Sequence, residues 1–285
     1  MLYTIQNEYL TATVSELGAE LISVKDQNGE EWMWEGDPTY WDGHSPVLFP
    51  YCGRFWQGLA TVNGVPCDPG MHGFFRFLTL KGEQNDEKSV SFTLSSSAET
   101  LGKYPFPFEM KMIYTLDGKT LSVSAEVTNT GDRTMPYGYG VHPGFRLPVE
   151  GGKYHLRFPD GHGTRAMCLD ASECYPVGGN KEFPLRDGVI FDLPDGELSA
   201  VLCEIPSSVT VENEVGDRRI VMDWGADLPY LTLWSPAGGP FVCVEPWTSI
   251  PSYYGQETEL TEKQDLVHLP AGETRVHTFR MQFGA

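Results

Sequence analysis

LTLWSPAGGPFVCVEPW, Leu231 to Trp247, is the stretch from which the rest of the chain can be read. Leu231–Trp234 and Phe241–Val244 read as strands on either side of a turn supplied by Pro236 to Pro240. Phe241, Val242, Cys243 and Val244 are an unbroken apolar run, the pattern of a strand covered on both faces. Glu245 comes next, and Pro246 is expected to end the ladder because it has no N–H to donate. A carboxylate at the exit of a buried strand is costly to keep ionised without partners, and desolvation raises its pKa. A general base that works near neutral pH is made in this way. A glutamate turned outward into water would be an ordinary surface residue, and this stretch alone leaves both readings open. Cys243 shares a face with Glu245 under two-residue alternation and reads as a small packing residue without a role.

Working outward, strand signals hardly pause. Glu8 to Val14, Glu20 to Lys25 and Glu31 to Trp34 read as strands, with Asn28-Gly29 as a turn. Asn63-Gly64 sits between Thr61-Val62 and Val65-Pro66, a two-residue hairpin signal. Phe108, Met110, Met112, Tyr114 and Leu116 alternate with polar residues, Asp117-Gly118 turns the chain, and Leu121, Val123, Ala125 and Val127 alternate on the way back. Such patterning buries one face and leaves the other wet. Strands follow at Tyr154–Phe158, Leu198–Ile205, Val209–Glu212 and Arg219–Asp223, and a last one at Arg275–Phe283. Helical periodicity is confined to Thr258–Leu266, read as one short helix, and Glu99–Lys103, read as a single turn. With no linker, repeat or low-complexity tract, residues 1–285 read as one all-β unit, a large antiparallel sandwich.

The 39 acidic and 20 basic residues leave a net charge of −19, which repels phosphate backbones and anionic lipid. Nucleic-acid and membrane partners are therefore not expected. No apolar run approaches the roughly 18 residues of a membrane-spanning helix. MLYTIQNEYL at the start has no basic segment followed by an apolar one, and the six cysteines contain no Cys-x-x-Cys pair. A cytoplasmic protein with reduced thiols is expected. It would be a monomer or homodimer.

Phosphate-loop, H-E-x-x-H and G-x-S-x-G motifs do not occur, and Gly138-Tyr139-Gly140 lacks the third glycine of a dinucleotide fingerprint. His155 and His162, seven apart without a matching Cys or carboxylate cluster, make a poor metal site, so no metal or cofactor is expected. Three stretches remain: SPVLFPYCGRFW (45–56) with Arg54, MHGFFR (71–76) with His72 and Arg76, and MPYGYGVHPGF (135–145) with His142. Each sets a His or Arg among aromatics and Gly or Pro at strand ends or loops. A sugar pocket wants this mixture, aromatic faces for the apolar side of the ring and a few fixed polar groups for its hydroxyls.

Taken in order, G-R at 53–54, H-G-F-x-R at 72–76, H-P-x-F at 142–145 and V-E-P-W at 244–247 resemble the aldose 1-epimerase (galactose mutarotase) superfamily, most of all its LacX-type branch. The likeness runs over essentially the whole chain. It implies a β-supersandwich fold, in keeping with the patterning, and cofactor-free interconversion of the α and β anomers of a hexose. It also implies His142 as general acid, Glu245 as general base, and Arg54, His72 and Arg76 along the substrate. Two departures stand out. Gly144 replaces a bulky aromatic common in mutarotases and implies a wider gap, and an extra substrate-binding aspartate corresponds clearly to neither Asp195 nor Glu197. A hexose-6-phosphate 1-epimerase with its phosphate clamped by the arginines, and a non-catalytic sugar-binding sandwich, are the alternatives. A glycoside hydrolase ranks last, because only one of its two carboxylates stands out.

Overall fold

The computed structural model describes residues 1–148, 150, 152–159, 164–171, 174–183, 189–193 and 197–284. Among them, two large antiparallel sheets dominate. The nine-stranded sheet runs in space Val189–Leu193, Tyr154–Arg157, Ser208–Asn213, Arg219–Trp224, Thr274–Phe283, Thr120–Asn129, Phe108–Asp117, Ser89–Ser95 and Lys81–Asp86. Its centre is the hairpin expected from alternation, with Asp117 opposite Thr120 across a two-residue loop. Gly118 takes φ +54° there, which that loop requires.

The second sheet runs Pro176–Phe183, Thr164–Leu169, Leu198–Cys203, Tyr230–Ser235, Phe241–Trp247, Gly140–Val141 and Val47–Leu48, with Gly144–Arg146 also paired to Phe241–Trp247. Alternation sorts its side chains. Val242, Val244, Leu231 and Leu233 join Phe108, Met110, Val123 and Met281 of the other sheet in the main core. Cys243 lies in a separate cluster with Trp34 and Phe241, against which Trp41 and Trp234 pack. One face of this sheet thus holds the sandwich together, and the other is roofed by segments from early in the chain. No helix is long and apolar enough to cross a membrane among the described residues.

Four expectations need correction. The strand does not stop at Pro246. It runs from Phe241 through Trp247 and is buried throughout. The ladder on one side pairs Gly140 with Trp247 and Gly144 with Cys243, and the break falls between, where Pro143 and Pro246 stand. Glu31–Trp34 makes only isolated bridges, Lys25 to Glu31 and Met33 to Phe145. Thr258–Leu266 is not a helix. Thr258–Glu259 pairs in parallel with Ala60–Thr61, and the Glu259 carboxylate accepts the N–H groups of Asn63, Gly64 and Thr261, which fixes a turn. Gly144 leaves no gap, as described below. The expected turn at Glu99–Lys103 is a short helix, Ala98–Lys103, closed by a Ser97–Thr100 capping box.

Candidate active site

The register that pairs Gly140 with Trp247 and Gly144 with Cys243 sets His142 opposite Glu245. The His142 N–H donates the other way, to the Pro46 carbonyl. The two residues therefore form a non-hydrogen-bonded cross-strand pair, the kind whose side chains approach most closely. His142 Nε2 and Glu245 Oε1 are 3.3 Å apart, with the side chains 12% and 1% exposed. That separation is slightly long for a hydrogen bond. Residues 103 apart in sequence are joined by strand register alone.

Burial governs the charge of this pair. It pushes the Glu245 carboxyl well above the usual carboxylate range; the Trp247 indole lies close enough to pull it back in part, without forming a regular hydrogen bond. Burial likewise pushes His142 down to about 3, helped by the Arg76 charge and opposed by a backbone contact. Burial thus opposes charge on both partners, favouring the neutral imidazole and the protonated carboxyl over an ionised salt bridge.

His72 packs edge-on to His142, with ring centroids 5.7 Å apart, and 5.6 Å from Trp247. It sits in a tight turn at φ +60°. Its N–H donates to the Gly53 carbonyl, and the Gly53 N–H donates back to His72 Nδ1 at 3.1 Å. Nδ1 is therefore the acceptor and the ring proton is on Nε2, facing away from the backbone. Gly73 is required beside it, because a Cβ would collide with the Phe49 carbonyl that accepts from both Phe74 and Phe75. Burial, then the charges of His142, Arg76 and Arg54, hold His72 well below the usual imidazole range, so it too is neutral.

Arg76 lies on the short 3₁₀ turn Phe75–Phe77, its guanidinium over the Phe77 ring and one terminal nitrogen 3.4 Å from the Met71 carbonyl. Its Nε is buried without a hydrogen-bond partner. Arg54 is half-buried, 5.9 Å from the Tyr175 ring centroid, and lines a cavity of about 290 Å³ with Phe55, Asp68, Met71 and Tyr175. Of the five residues singled out from sequence, His142, Glu245 and His72 come together directly. The arginines stand around His72, near enough for their charges to act on it. Asp195 lies outside the described residues, and Glu197 is exposed just ahead of the Leu198–Cys203 strand.

The aromatic walls are where the sequence reading fell short. Trp41 lies over His142, centroids 4.8 Å apart, and Trp234 meets the same ring at 5.9 Å. Trp41 also accounts for Gly144: a Cβ there would stand 3.0 Å from Trp34 Cβ and 3.1 Å from Trp41 Cζ3. The space expected to be open is filled by an indole from another part of the chain. The Trp41 loop is pinned by Trp34 Nε1 donating to the Trp41 carbonyl and by Glu20 accepting the N–H groups of His44 and Ser45. Trp234 had a signal, since it faces Cys243 across the very hairpin read first. Trp41, in an irregular loop, had none.

Both Glu245 oxygens, His142 Nδ1, Trp247 Nε1 and Thr232 Oγ1 are buried without hydrogen-bond partners, and Thr232 is directly opposite Glu245. Buried polar groups left unpaired cost about 1–3 kcal/mol each. Several converging on one sheet face make that face a candidate site for a ligand rich in donors and acceptors.

The sequence matches the aldose 1-epimerase family over residues 1–282. It is 33% identical over 281 residues to the chromosomal Protein LacX of Lactococcus lactis subsp. lactis, covering 92% of this chain and 93% of that one. A galactose mutarotase related enzyme from Lactobacillus acidophilus superposes with a TM-score of 0.92 at 28% identity, covering 100% of this chain and 98% of that one. A galactose mutarotase-like protein from Lactobacillus casei gives 0.91 at 29%, covering 99% of this chain and 100% of that one.

Proposed function

The chain belongs to the aldose 1-epimerase family, and on that footing we propose that it is a sugar isomerase that interconverts the α and β anomers of a free hexose. The supporting observation is the His142–Glu245 contact, two complementary proton-transfer groups 3.3 Å apart with their remaining polar atoms unpaired. Anomerisation needs one group to take the C1 hydroxyl proton and another to give a proton to the ring oxygen. The C1–O5 bond then breaks to the open aldehyde, C1–C2 rotates, and closure on the other face reverses both transfers. A pair holding one proton between them suits this cycle, because it ends each turnover as it began.

In the forward step Glu245 is the base and His142 the acid. Burial favours the protonated form of Glu245 and the neutral form of His142, so the forward step calls for a proton to pass from Glu245 to His142, and the close contact gives it a path. Positioned acid–base groups of this kind contribute about 10²–10⁴-fold. His72 Nε2–H and the two guanidiniums are the donors that would hold the ring oxygen or its neighbouring hydroxyls. Trp41, Trp234 and Trp247 offer the apolar faces.

Saturation-transfer NMR on glucose, galactose and glucose 6-phosphate tests the proposal. Catalysed exchange between the anomers of a free hexose is expected. Exchange confined to the phosphate ester would move the substrate to the phosphorylated class, and binding without exchange would leave a sugar-binding sandwich.

A further inference from the structure

We propose that His142, Cys243 and Glu245 together form a binding site for a soft divalent cation, with Zn²⁺ as the type, on the face that carries the acid–base pair. Their ligand atoms all lie within 4.8 Å of one another; Cys243 and Glu245 are buried and the His142 side chain is 12% exposed. Two-residue alternation puts Cys243 and Glu245 on one face of the Phe241–Trp247 strand, and register brings His142 across to them. The combination of thiol, imidazole and carboxylate is a zinc donor set.

The geometry is specific. Zn–N and Zn–O bonds of about 2.0–2.2 Å at a tetrahedral angle set the two donor atoms roughly 3.3–3.5 Å apart. His142 Nε2 and Glu245 Oε1 are separated by 3.3 Å. Zinc–sulfur bonds are about 2.3 Å, and the Cys243 thiol, within 4.8 Å of both other ligand atoms, is the third member of the set. Neither Glu245 oxygen accepts a hydrogen bond, although its side chain is 1% exposed, so a lone pair is available without breaking a protein contact. Three protein ligands leave a fourth position for water.

Binding takes the thiol proton to buffer and forms a Zn–S bond, with no change of oxidation state. The carboxyl gives up any proton it carries, and imidazole enters neutral. If the acid–base reading above holds, an ion there removes both proton-transfer groups at once, so the cation is an inhibitor of the reaction.

The test does not use catalysis. Zn²⁺ is titrated against a chromophoric chelator with the full-length protein and its Cys243→Ser and Cys174→Ser forms. Co²⁺ is added in parallel to look for a sulfur-to-metal charge-transfer band. Loss of a supporting partner costs about 10–100-fold in metal affinity, so loss of the thiolate is expected to cost at least that and to abolish the band. Cys174→Ser, which changes an exposed thiol, is expected to do neither. Should Cys243→Ser fold poorly, X-ray absorption of the zinc-loaded natural protein is expected to show one sulfur at about 2.3 Å. Unchanged affinity in Cys243→Ser, or a shell of nitrogen and oxygen alone, overturns the site. A protein that binds zinc in this way but anomerises no sugar would instead count against the enzymatic reading alone.

Discussion

Among the described residues, two pairings of a histidine with a carboxylate, His277–Asp227 and His142–Glu245, are finished differently. His277, in the Thr274–Phe283 strand, is wholly buried. Its Nε2 meets the Tyr137 hydroxyl at 2.8 Å and its Nδ1 meets the Asp227 carboxylate. Both ring nitrogens are satisfied, and Tyr139 stacks flat on the ring. Burial would raise Asp227, but the His277 hydrogen bond and charge outweigh it and hold the carboxyl below its usual range. At His142–Glu245 the balance is opposite: burial wins, and three of the four side-chain polar atoms lie buried without a partner apart from the long cross-strand contact. The first pairing is completed by the protein's own groups, and the second is not. Both ring nitrogens bonded is the pattern of a structural network, and buried polar atoms that the protein leaves unpaired make the other pairing a candidate site. The two are connected, since Tyr137 and Tyr139 lie on the segment that leads directly into His142.

The largest expected effect breaks the comparison on the functional side. Glu245→Gln and His142→Ala are each expected to lower anomerisation by about 10²–10⁴-fold, measured by saturation transfer, with the fold intact. Groups that act as a unit are non-additive, so the double variant should be little worse than either single one. Near-normal turnover in either would take that residue out of the mechanism. The pH profile of kcat/KM follows from the same charges. On the proposed mechanism, activity requires one proton on the pair. The acid limb should fall near the value of about 3 to which burial pushes His142. The alkaline limb should lie above the ordinary carboxylate range, where Glu245 loses its proton. Limbs at ordinary carboxylate and imidazole values would contradict this.

The next effect is on the structural side. Tyr137→Phe strands a buried ring nitrogen of His277 and is expected to cost about 1–3 kcal/mol, read from the denaturant midpoint at unchanged slope. Anomerisation should fall far less than in Glu245→Gln. Equal loss of activity without loss of stability would mean that the two pairings do not divide the work as described.

Much of this contrast was legible in the sequence, and the reasons differ by place. Glu245 could be found because an apolar run that hides both faces leaves little room for a carboxylate without a purpose. His142 could not be joined to it from spacing, since only the register across Gly140–Trp247 and Gly144–Cys243 makes them neighbours; the family resemblance supplied that link. Gly144 misled because the absence of a side chain says nothing about which distant residue fills the space, and Trp41 fills it. Thr258–Leu266 misled because the hydrogen bonds of one carboxylate, Glu259, outweigh weak helical periodicity. His277, in a strand with ordinary alternation, gave no sign that its ring would be completed by Tyr137 and Asp227.

The smallest effect asks whether the unfinished pairing costs stability. Glu245 holds its proton in the folded protein at pH values where the unfolded chain, with a carboxyl near its ordinary value of about 4.3, has already lost it. The unfolded state then binds fewer protons, so stability falls as pH rises. The contribution is fully present below the unfolded value and is lost as pH climbs through the folded one. The groups facing Glu245 are Thr232, His142, Cys243 and the Trp247 indole. Of these, the thiol is pushed well up by burial and then by Glu245, and so stays neutral over the same range. Gln at 245 keeps the shape and cannot ionise. The thermal midpoint of Glu245→Gln should therefore exceed that of the natural protein at mildly alkaline pH, with the gap closing toward the ordinary carboxylate value of about 4.3. A gap that widens toward acid would show a carboxylate stabilised by its surroundings. In that case Glu245 would resemble Asp227, and the distinction between the two pairings would be lost.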